Sequence, residues 1–186
     1  ALPAAIGRVK CLQPTPAEAG RVIPGQVYLL VIPRVPNPQS YLAEKDLTPK
    51  KEDIDALSAF VDERRLLTTK VDIRPPAYHW VSVKVQLRAT PGAARTEVEN
   101  EVLTRLYRYL NPLVGGADGK GWEFGRDLFA SDVYQALQGI QNVQFVRALE
   151  MRAARPGGEP AGDPVETIEL VAHGVIASGT HSVEFI

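Results

Sequence analysis

A glycine-rich loop running from Gly115 to Gly121 contains the residue types that come nearest to phosphate chemistry. A phosphate-binding P-loop needs four residues between its first glycine and a Gly-Lys pair, followed by a Ser or Thr that holds Mg²⁺. Here three residues separate Gly115 from Gly119, and Gly121 follows Lys120 where the hydroxyl should stand. The loop also follows a predicted helix, whereas a P-loop follows a strand. The spacing predicts flexible turns around Asp118 rather than a phosphate site.

Residue types that bind metals are scattered along the chain. They comprise His79, His173, His181 and Cys11. No two of them have the CxxC or HxxxH spacing that holds zinc. Asp118 and Glu123 offer carboxylates, but the alternating oxygen ligands and the distal glutamate of a calcium loop are missing. The sequence predicts no metal site and no cofactor.

The serines and the cysteine do not lie in sequence patterns typical of nucleophilic catalysis. No GxSxG turn is present, and Ala177-Ser178-Gly179 is only a bend of small residues. Cys11 falls on a predicted strand, as a small core residue would. A hydrolase site assembled across the fold would need His79, His173 and His181 to converge. We therefore expect no catalytic residues, and a hydrolase with a site assembled across the domains stays as an alternative.

One aromatic and charged turn is a candidate interface. Its residues are Trp122, Glu123, Phe124, Arg126 and Asp127. Trp and Arg are over-represented at the energetic centres of protein–protein contacts, which favours a binding role. In the alternative interpretation, Trp122 and Phe124 cover the core while the charges are solvated. The residues alone leave both interpretations open.

Composition argues against several classes of partner. The 21 basic and 22 acidic residues give a net charge of −1, without the basic surplus of a nucleic-acid binder. No apolar run approaches the ~18 residues that span a bilayer, so we expect no membrane partner. A single cysteine excludes an internal disulfide. Because the chain begins with Ala1 rather than Met, we expect a fragment of a longer protein.

The first 75 residues or so predict a β-β-α-β order. Apolar alternation and a continuous apolar run predict strands, and apolar residues at helical spacing, starting at a Thr48-Pro49 cap, predict a helix. The strands are Ile6–Leu12, Val27–Ile32 and Lys70–Ile73, and the helix runs from about Pro49 to Leu66.

The remaining residues predict two helices among several strands. Trp80–Ala89 alternates strictly, with valines on one face and polar residues on a face that meets water or a partner. Thr96 and Glu99 form a capping-box pattern for the first helix, and Ser131 a cap for the second, which stops near Gly139. Further strands are predicted at Val143–Met151, Glu166–Ala172 and Ser182–Ile186, with bends at His173-Gly174 and Ser178-Gly179 and a flexible linker at Ala154–Pro164.

These elements predict an α+β fold. Sustained βα alternation is absent, so helices layered on mixed or antiparallel sheets fit best. We expect two small αβ sandwiches of ferredoxin-like type with helices on one face. The first spans residues 1–75, and the second spans 76–186 and contains the flexible 154–164 loop.

Several short segments resemble a known family when their order and spacing are taken together. These segments are Arg64-Arg65-Leu66-Leu67-Thr68-Thr69, Pro76-Ala77-Tyr78, Tyr109-Leu110-Asn111-Pro112-Leu113 with Gly115-Gly116 and Asp118-Gly119, Gly121-Trp122-Glu123-Phe124-Gly125-Arg126, and Ser131-Asp132-Val133-Tyr134. They resemble the C-terminal part of the baseplate assembly protein family, related to the baseplate J-like wedge proteins. That family belongs to contractile phage tails and phage-tail-like contractile injection systems.

The resemblance implies a structural role. It implies a subunit of the baseplate wedge that acts through contacts with other baseplate, sheath and hub subunits in a multi-copy hetero-oligomer. It implies no enzymatic activity, cofactor, catalytic residue or small-molecule substrate. It also implies assembly in the cytoplasm and a final place in the baseplate. The alternative is a small-molecule-binding or regulatory ferredoxin-like module, which would have a pocket at the edge between sheet and helices.

Overall fold

The structure, a computed structural model, describes residues 5–14, 24–38 and 40–186 and has the α+β fold that the sequence predicts. Within these residues the strands are β1 (Ile6–Leu12), β2 (Gln26–Pro33), β3 (Lys70–Arg74), β4 (Ala77–Ala89), β5 (Leu128–Phe129), β6 (Val143–Ala153), β7 (Thr167–Ile168), β8 (Gly174–Ser178) and β9 (Ser182–Phe185). The helices are α1 (Glu44–Leu47), α2 (Lys51–Asp62), α3 (Arg95–Tyr109) and α4 (Ala130–Ala136). None of the described helices is long and apolar enough to cross a membrane.

The chain divides into two compact units. The first comprises Ala1–Pro36 and Lys45–Pro76, and the second comprises Asn37–Glu44 and Ala77–Ile186. The change of unit after Pro76 lies one residue from the expected boundary. The sequence assigned residues 37–44 to the first module, whereas the structure counts them with the second. A hydrogen bond gives the physical reason, because Asn111 of the second unit donates its amide N–H to the carbonyl of Pro38.

The first unit contains a three-stranded sheet in the order β1-β2-β3. β2 is antiparallel to β1 and parallel to β3, so α2 is the crossover of a β-α-β unit. The continuous apolar run of the sequence becomes this central strand, where Leu30 and Ile32 are fully buried. The core of the unit joins Ile6, Val31 and Leu57.

Helix α2 is shorter than the sequence predicts. It begins at Lys51 after Lys50, whose side chain makes no cap hydrogen bond, so the predicted Thr48 cap is wrong. It ends at Asp62 because the chain then turns: Arg65 donates to Asp62 at 2.6 Å and to the carbonyl of Thr69 at 2.7 Å. The turn leaves Leu66 75% and Leu67 100% exposed.

The second unit is arranged around β4, its longest strand. β6 pairs antiparallel to one side of β4, while β8 and then β9 pair parallel to the other side. Val81, Val83, Val85 and Leu87 are all buried, as their alternation predicts. The opposite face is less exposed than expected, since Ser82 is buried and its hydroxyl donates to the carbonyl of Gly158 at 3.1 Å.

Helix starts in the second unit differ from their predicted caps. α3 begins after Ala94, with no side-chain cap, so the Thr96–Glu99 capping box is wrong. α4 begins after Phe129 rather than Ser131. There the Asp132 carboxylate accepts the Phe129 N–H at 3.1 Å, which satisfies a backbone donor at the helix start. The predicted stop at Gly139 agrees with its left-handed φ of 74°.

Residues 154–164, which the sequence predicts as a flexible linker, make several hydrogen bonds. Arg155 N–H donates to Glu159 at 2.9 Å and Ala161 N–H donates to Ala153 at 2.7 Å. Gly158 is buried and accepts bonds from Ser82 and Thr180. Gly158 lies over Ser82 on the polar face of β4, whereas Lys84 and Arg88 on the same face stay exposed.

The C-terminal strands are also placed differently. Only Thr167–Ile168 of the predicted 166–172 strand is extended in a sheet, where it pairs with β5. The segment Gly174–Ser178, whose ends were predicted as bends, is instead the fully buried strand β8. Its small residues fit the enclosed position beside β4. That position depends on tertiary packing, which the local sequence pattern does not show.

We expect the Leu57→Ala variant to lose 2–5 kcal/mol of unfolding free energy, because Leu57 is fully buried and the substitution leaves a cavity. The matched Leu67→Ala variant, at a fully exposed leucine, is expected to change by less than about 0.5 kcal/mol. Urea unfolding followed by far-ultraviolet circular dichroism measures both. Equal losses in the two variants would contradict the assigned core of the first unit.

Candidate functional site

Asn111, just after α3, is the centre of the glycine-rich loop. It is 1% exposed. Its side-chain oxygen accepts the N–H groups of Leu113 at 2.8 Å and Val114 at 3.2 Å. Its backbone carbonyl accepts those of Gly115 and Trp122, both at 3.0 Å. The buried side chain and the backbone carbonyl of Asn111 therefore hold both ends of the loop together.

The loop depends on glycine for this close packing. A Cβ at Gly115 would lie 2.3–2.5 Å from the backbone of Tyr109 and Asn111, a distance that no side chain tolerates. Gly116 N–H donates to Tyr109 at 2.8 Å, and Gly121 N–H donates to Gly115 at 2.9 Å. The N–H groups of Gly116 and Gly121 are thus committed to bonds within this segment.

Trp122 is an internal anchor of the candidate interface turn. Its ring is fully buried and meets Tyr109 edge-on, with ring centroids 5.7 Å apart. Its indole N–H donates to the carbonyl of Arg126 at 2.8 Å and thereby closes the turn. This geometry agrees with the interpretation that Trp122 covers the core, and it removes the ring from the surface available to a partner.

The charges of the turn also have internal uses. The Arg126 guanidinium lies 5.0 Å above the Trp122 ring and pairs with Asp132 at 2.9 Å. The Asp127 carboxylate accepts the N–H of Leu170 at 2.7 Å and so fixes the segment around β7.

Glu123 is exposed and Phe124 is half-buried, which leaves these two residues at the surface of the turn. The interface itself stays a prediction, now limited to this rim.

Ser178 and His181 form the one contact in the described residues that resembles a catalytic pair. The hydroxyl oxygen of Ser178 lies 2.6 Å from Nε2 of His181. The other ring nitrogen, Nδ1, accepts the backbone N–H of Val83 at 3.0 Å. Nδ1 is therefore unprotonated, and Nε2 carries the proton and donates it to Ser178. A histidine in this tautomer cannot take the serine proton, which nucleophilic catalysis requires.

Burial lowers the pKa of His181 from its ordinary value of 6.5 to about 3, so the ring stays neutral. The ring also lies against Tyr107, with centroids 4.8 Å apart. The residue joins β9 to the middle of the second unit. Its chemistry here is that of a structural hydrogen-bonding group.

The three histidines do not converge on a common site. His79 lies beside His173, and burial first and the neighbouring His173 second lower its pKa. His181 has separate partners on β4 and β8. Among the described residues, no group of three His, Cys, Asp or Glu side chains is arranged to hold a metal ion. Cys11 is exposed on β1, not in the core as predicted.

Asn111 is the site residue whose role sequence reasoning missed. The sequence marks Asn111-Pro112 only as the end of a helix. An available signal was the tendency of asparagine to bond backbone N–H groups two and three residues ahead. The second set of bonds, to Trp122 eleven residues later, has no local signature.

Comparison with known proteins adds a likeness in structure. No protein-family model matches the chain, and no curated protein matches its sequence. The fold is similar to that of a chain in the cryo-EM structure of the anti-feeding prophage (AFP) baseplate, 6-fold symmetrised. The likeness covers 94% of this chain with a TM-score of 0.58 and 18% sequence identity. At this identity the likeness shows a shared fold. The present chain covers 34% of the longer one, about a third of its length.

We expect Gly115→Ala to lower the unfolding free energy by at least about 3 kcal/mol, because its Cβ meets rigid backbone rather than a movable side chain. Gly139→Ala is the control. Gly139 has open space around it, so this substitution costs only the strain of a left-handed φ at alanine, about 1 kcal/mol of unfolding free energy. Tryptophan fluorescence in urea reports both, because Trp80 and Trp122 lie in the second unit. Similar losses would show that the loop tolerates expansion.

Acid should destabilise the chain through His181. The folded pKa of about 3 lies below the ordinary 6.5, so the unfolded chain binds a proton that the folded chain refuses. This contribution to stability is present above pH 6.5 and falls as pH drops towards 3. The His181→Gln variant lacks the titrating ring. Relative to it, the unfolding free energy of the wild type should fall by about 2 kcal/mol between pH 7 and pH 5.

Urea denaturation of both proteins at the two pH values measures this difference. A stability gap that is independent of pH would contradict a neutral, buried imidazole.

Proposed function

We propose that this chain is a structural subunit of the baseplate of a contractile phage tail or phage-tail-like injection particle. The observation that carries the proposal is the likeness in fold to a chain of the anti-feeding prophage baseplate, which extends over 94% of the present chain. A likeness of this extent includes both units and leaves little of the chain for an unrelated role. The order of short segments that resembles baseplate assembly proteins supports the same conclusion independently.

The finer proposal is a position in the wedge of the baseplate. There the chain would act as one module of a longer subunit, since it matches 34% of the similar chain. Its partners would be other baseplate, hub and sheath subunits, assembled in the cytoplasm and retained in the finished particle. No nucleic acid, membrane or small-molecule substrate is needed for this role.

A role without catalysis is part of the proposal. The residues that most resemble catalytic or ligand-binding groups have demonstrable structural uses in the second unit. His181 holds its proton towards Ser178 and accepts a bond from Val83. Arg126 and Asp127 brace the turn next to Trp122. A rigid assembly module needs such internal cross-links, whereas an enzyme needs at least one reactive group left unengaged.

Affinity purification from native cells tests the function. The longer protein that contains this chain is tagged, and co-purified proteins are identified by mass spectrometry. We expect baseplate, sheath or tube subunits to be enriched at least tenfold over untagged cells. Recovery of none of these subunits would refute the baseplate role and turn attention to ligand screening for a small-molecule-binding module.

The rim of the Trp122 turn is tested with a matched pair of charge reversals. Glu123→Arg changes an exposed carboxylate at the predicted interface, and the control Asp55→Arg changes an exposed carboxylate on α2 of the first unit. We expect lower recovery of baseplate subunits for Glu123→Arg and unchanged recovery for Asp55→Arg. Equal recovery would remove the interface prediction while leaving the baseplate role intact. Trp122→Ala is unsuitable for this test because the buried ring supports the fold.

A further inference from the structure

A polar groove in the second unit lies between α3, the glycine-rich loop and α4. It has a volume of about 550 Å³ and is open to solvent. Arg105 and Arg108 of α3 form one wall, Gly116 and Asp118 of the loop form another, and Gln135 of α4 completes it. The baseplate proposal assigns no role to this groove.

The two arginines give the groove a cationic wall. They are three residues apart on α3, so their side chains leave the same helix face. Both are exposed, and within the described residues neither makes an ion pair. Arg105 has one long bond of 3.4 Å to the carbonyl of Ala136. The lining carboxylate, Asp118, accepts the Lys120 N–H at 3.0 Å.

The wall opposite the arginines is fixed before anything binds. Asn111 accepts hydrogen bonds from both the start and the end of the loop, and Gly116 adopts a left-handed φ of 74°. The loop backbone therefore cannot collapse onto the guanidinium groups without breaking buried hydrogen bonds. A pre-formed groove lowers the ordering cost for an incoming segment.

We propose that this groove docks an acidic segment of another baseplate subunit, with its carboxylates on Arg105 and Arg108. Guanidinium groups bind carboxylates through two parallel N–H donors, and arginine is favoured at protein contacts for that reason. An open, polar groove suits a chain segment that enters from the side, whereas small ligands are usually enclosed by mostly apolar walls. Compensation of the helix dipole explains one cation in the last turn of α3 but requires neither a second arginine nor a groove.

The partner assignment rests on the proposed baseplate function, so one test arm is independent of it. The purified chain is titrated into fluorescein-labelled octaglutamate and binding is followed by fluorescence anisotropy. The groove variant is Arg105→Gln with Arg108→Gln. The control is Arg88→Gln with Arg147→Gln, two exposed arginines on β4 and β6 that remove the same charge outside the groove.

We expect the groove variant to weaken peptide binding at least tenfold and the control to weaken it less than twofold. Equal weakening would indicate general charge attraction and overturn the site, as would the absence of binding by the wild type at low salt. Displacement of the peptide by micromolar inorganic phosphate would also overturn the proposal, because the groove would then be a phosphate site.

The second arm uses the assembled particle. Arg105→Glu with Arg108→Glu and the control Arg88→Glu with Arg147→Glu are compared in tagged protein from native cells. We expect at least tenfold loss of co-purified baseplate subunits for the groove variant only. Equal retention by both variants would overturn the groove proposal while the baseplate function stands. Failure of the wild type to recover any baseplate subunit would count against the function instead.

A photo-crosslinking benzoylphenylalanine in place of Gln135 identifies the occupant. We expect cross-links to an Asp- or Glu-rich segment of a different baseplate subunit. Cross-links to a second copy of this chain, or to segments without acidic residues, would overturn the proposed partner.

Discussion

The buried amide of Asn111 is the constraint on which the second unit depends. Burial of an amide is costly unless its hydrogen bonds are made, and here the cost is offset by bonds to both the following turn and residue 38. Through them one residue fixes where α3 ends, how the glycine-rich loop closes and where Trp122 enters the core. The groove wall and the Trp122 turn are consequences of the same network.

Much of the fold could be predicted where burial is one-sided or complete. Strict alternation in β4 gives its buried face, and the apolar run of β2 gives a central strand, because these patterns depend only on period and apolarity. Helix starts could not be read equally well. Thr48, Thr96 and Ser131 have capping side chains, yet the three helices start elsewhere. At α4 the bond to the helix start comes from Asp132 instead.

The candidate site was less predictable than the fold, and the reason is long-range bonding. Spacing argues against a phosphate loop, but the sequence cannot reveal that Trp122 turns inward, since aromatic and charged residues look the same in a buried turn and at an interface. Likewise, β8 has too many small residues for the sequence to predict a strand there. Its identity comes from pairing with β4, nearly a hundred residues earlier.

The topology around β4 has a consequence for synthesis on the ribosome. The first unit has all its strands once residue 76 has emerged, so it can close while the chain is still growing. β4 must instead wait for Val143–Ala153 on one side and Ser182–Phe185 on the other. During that interval the edges of β4 lack these partner strands, and contacts so distant in sequence form slowly. We therefore expect chaperones to protect mainly the second unit while it is being synthesised.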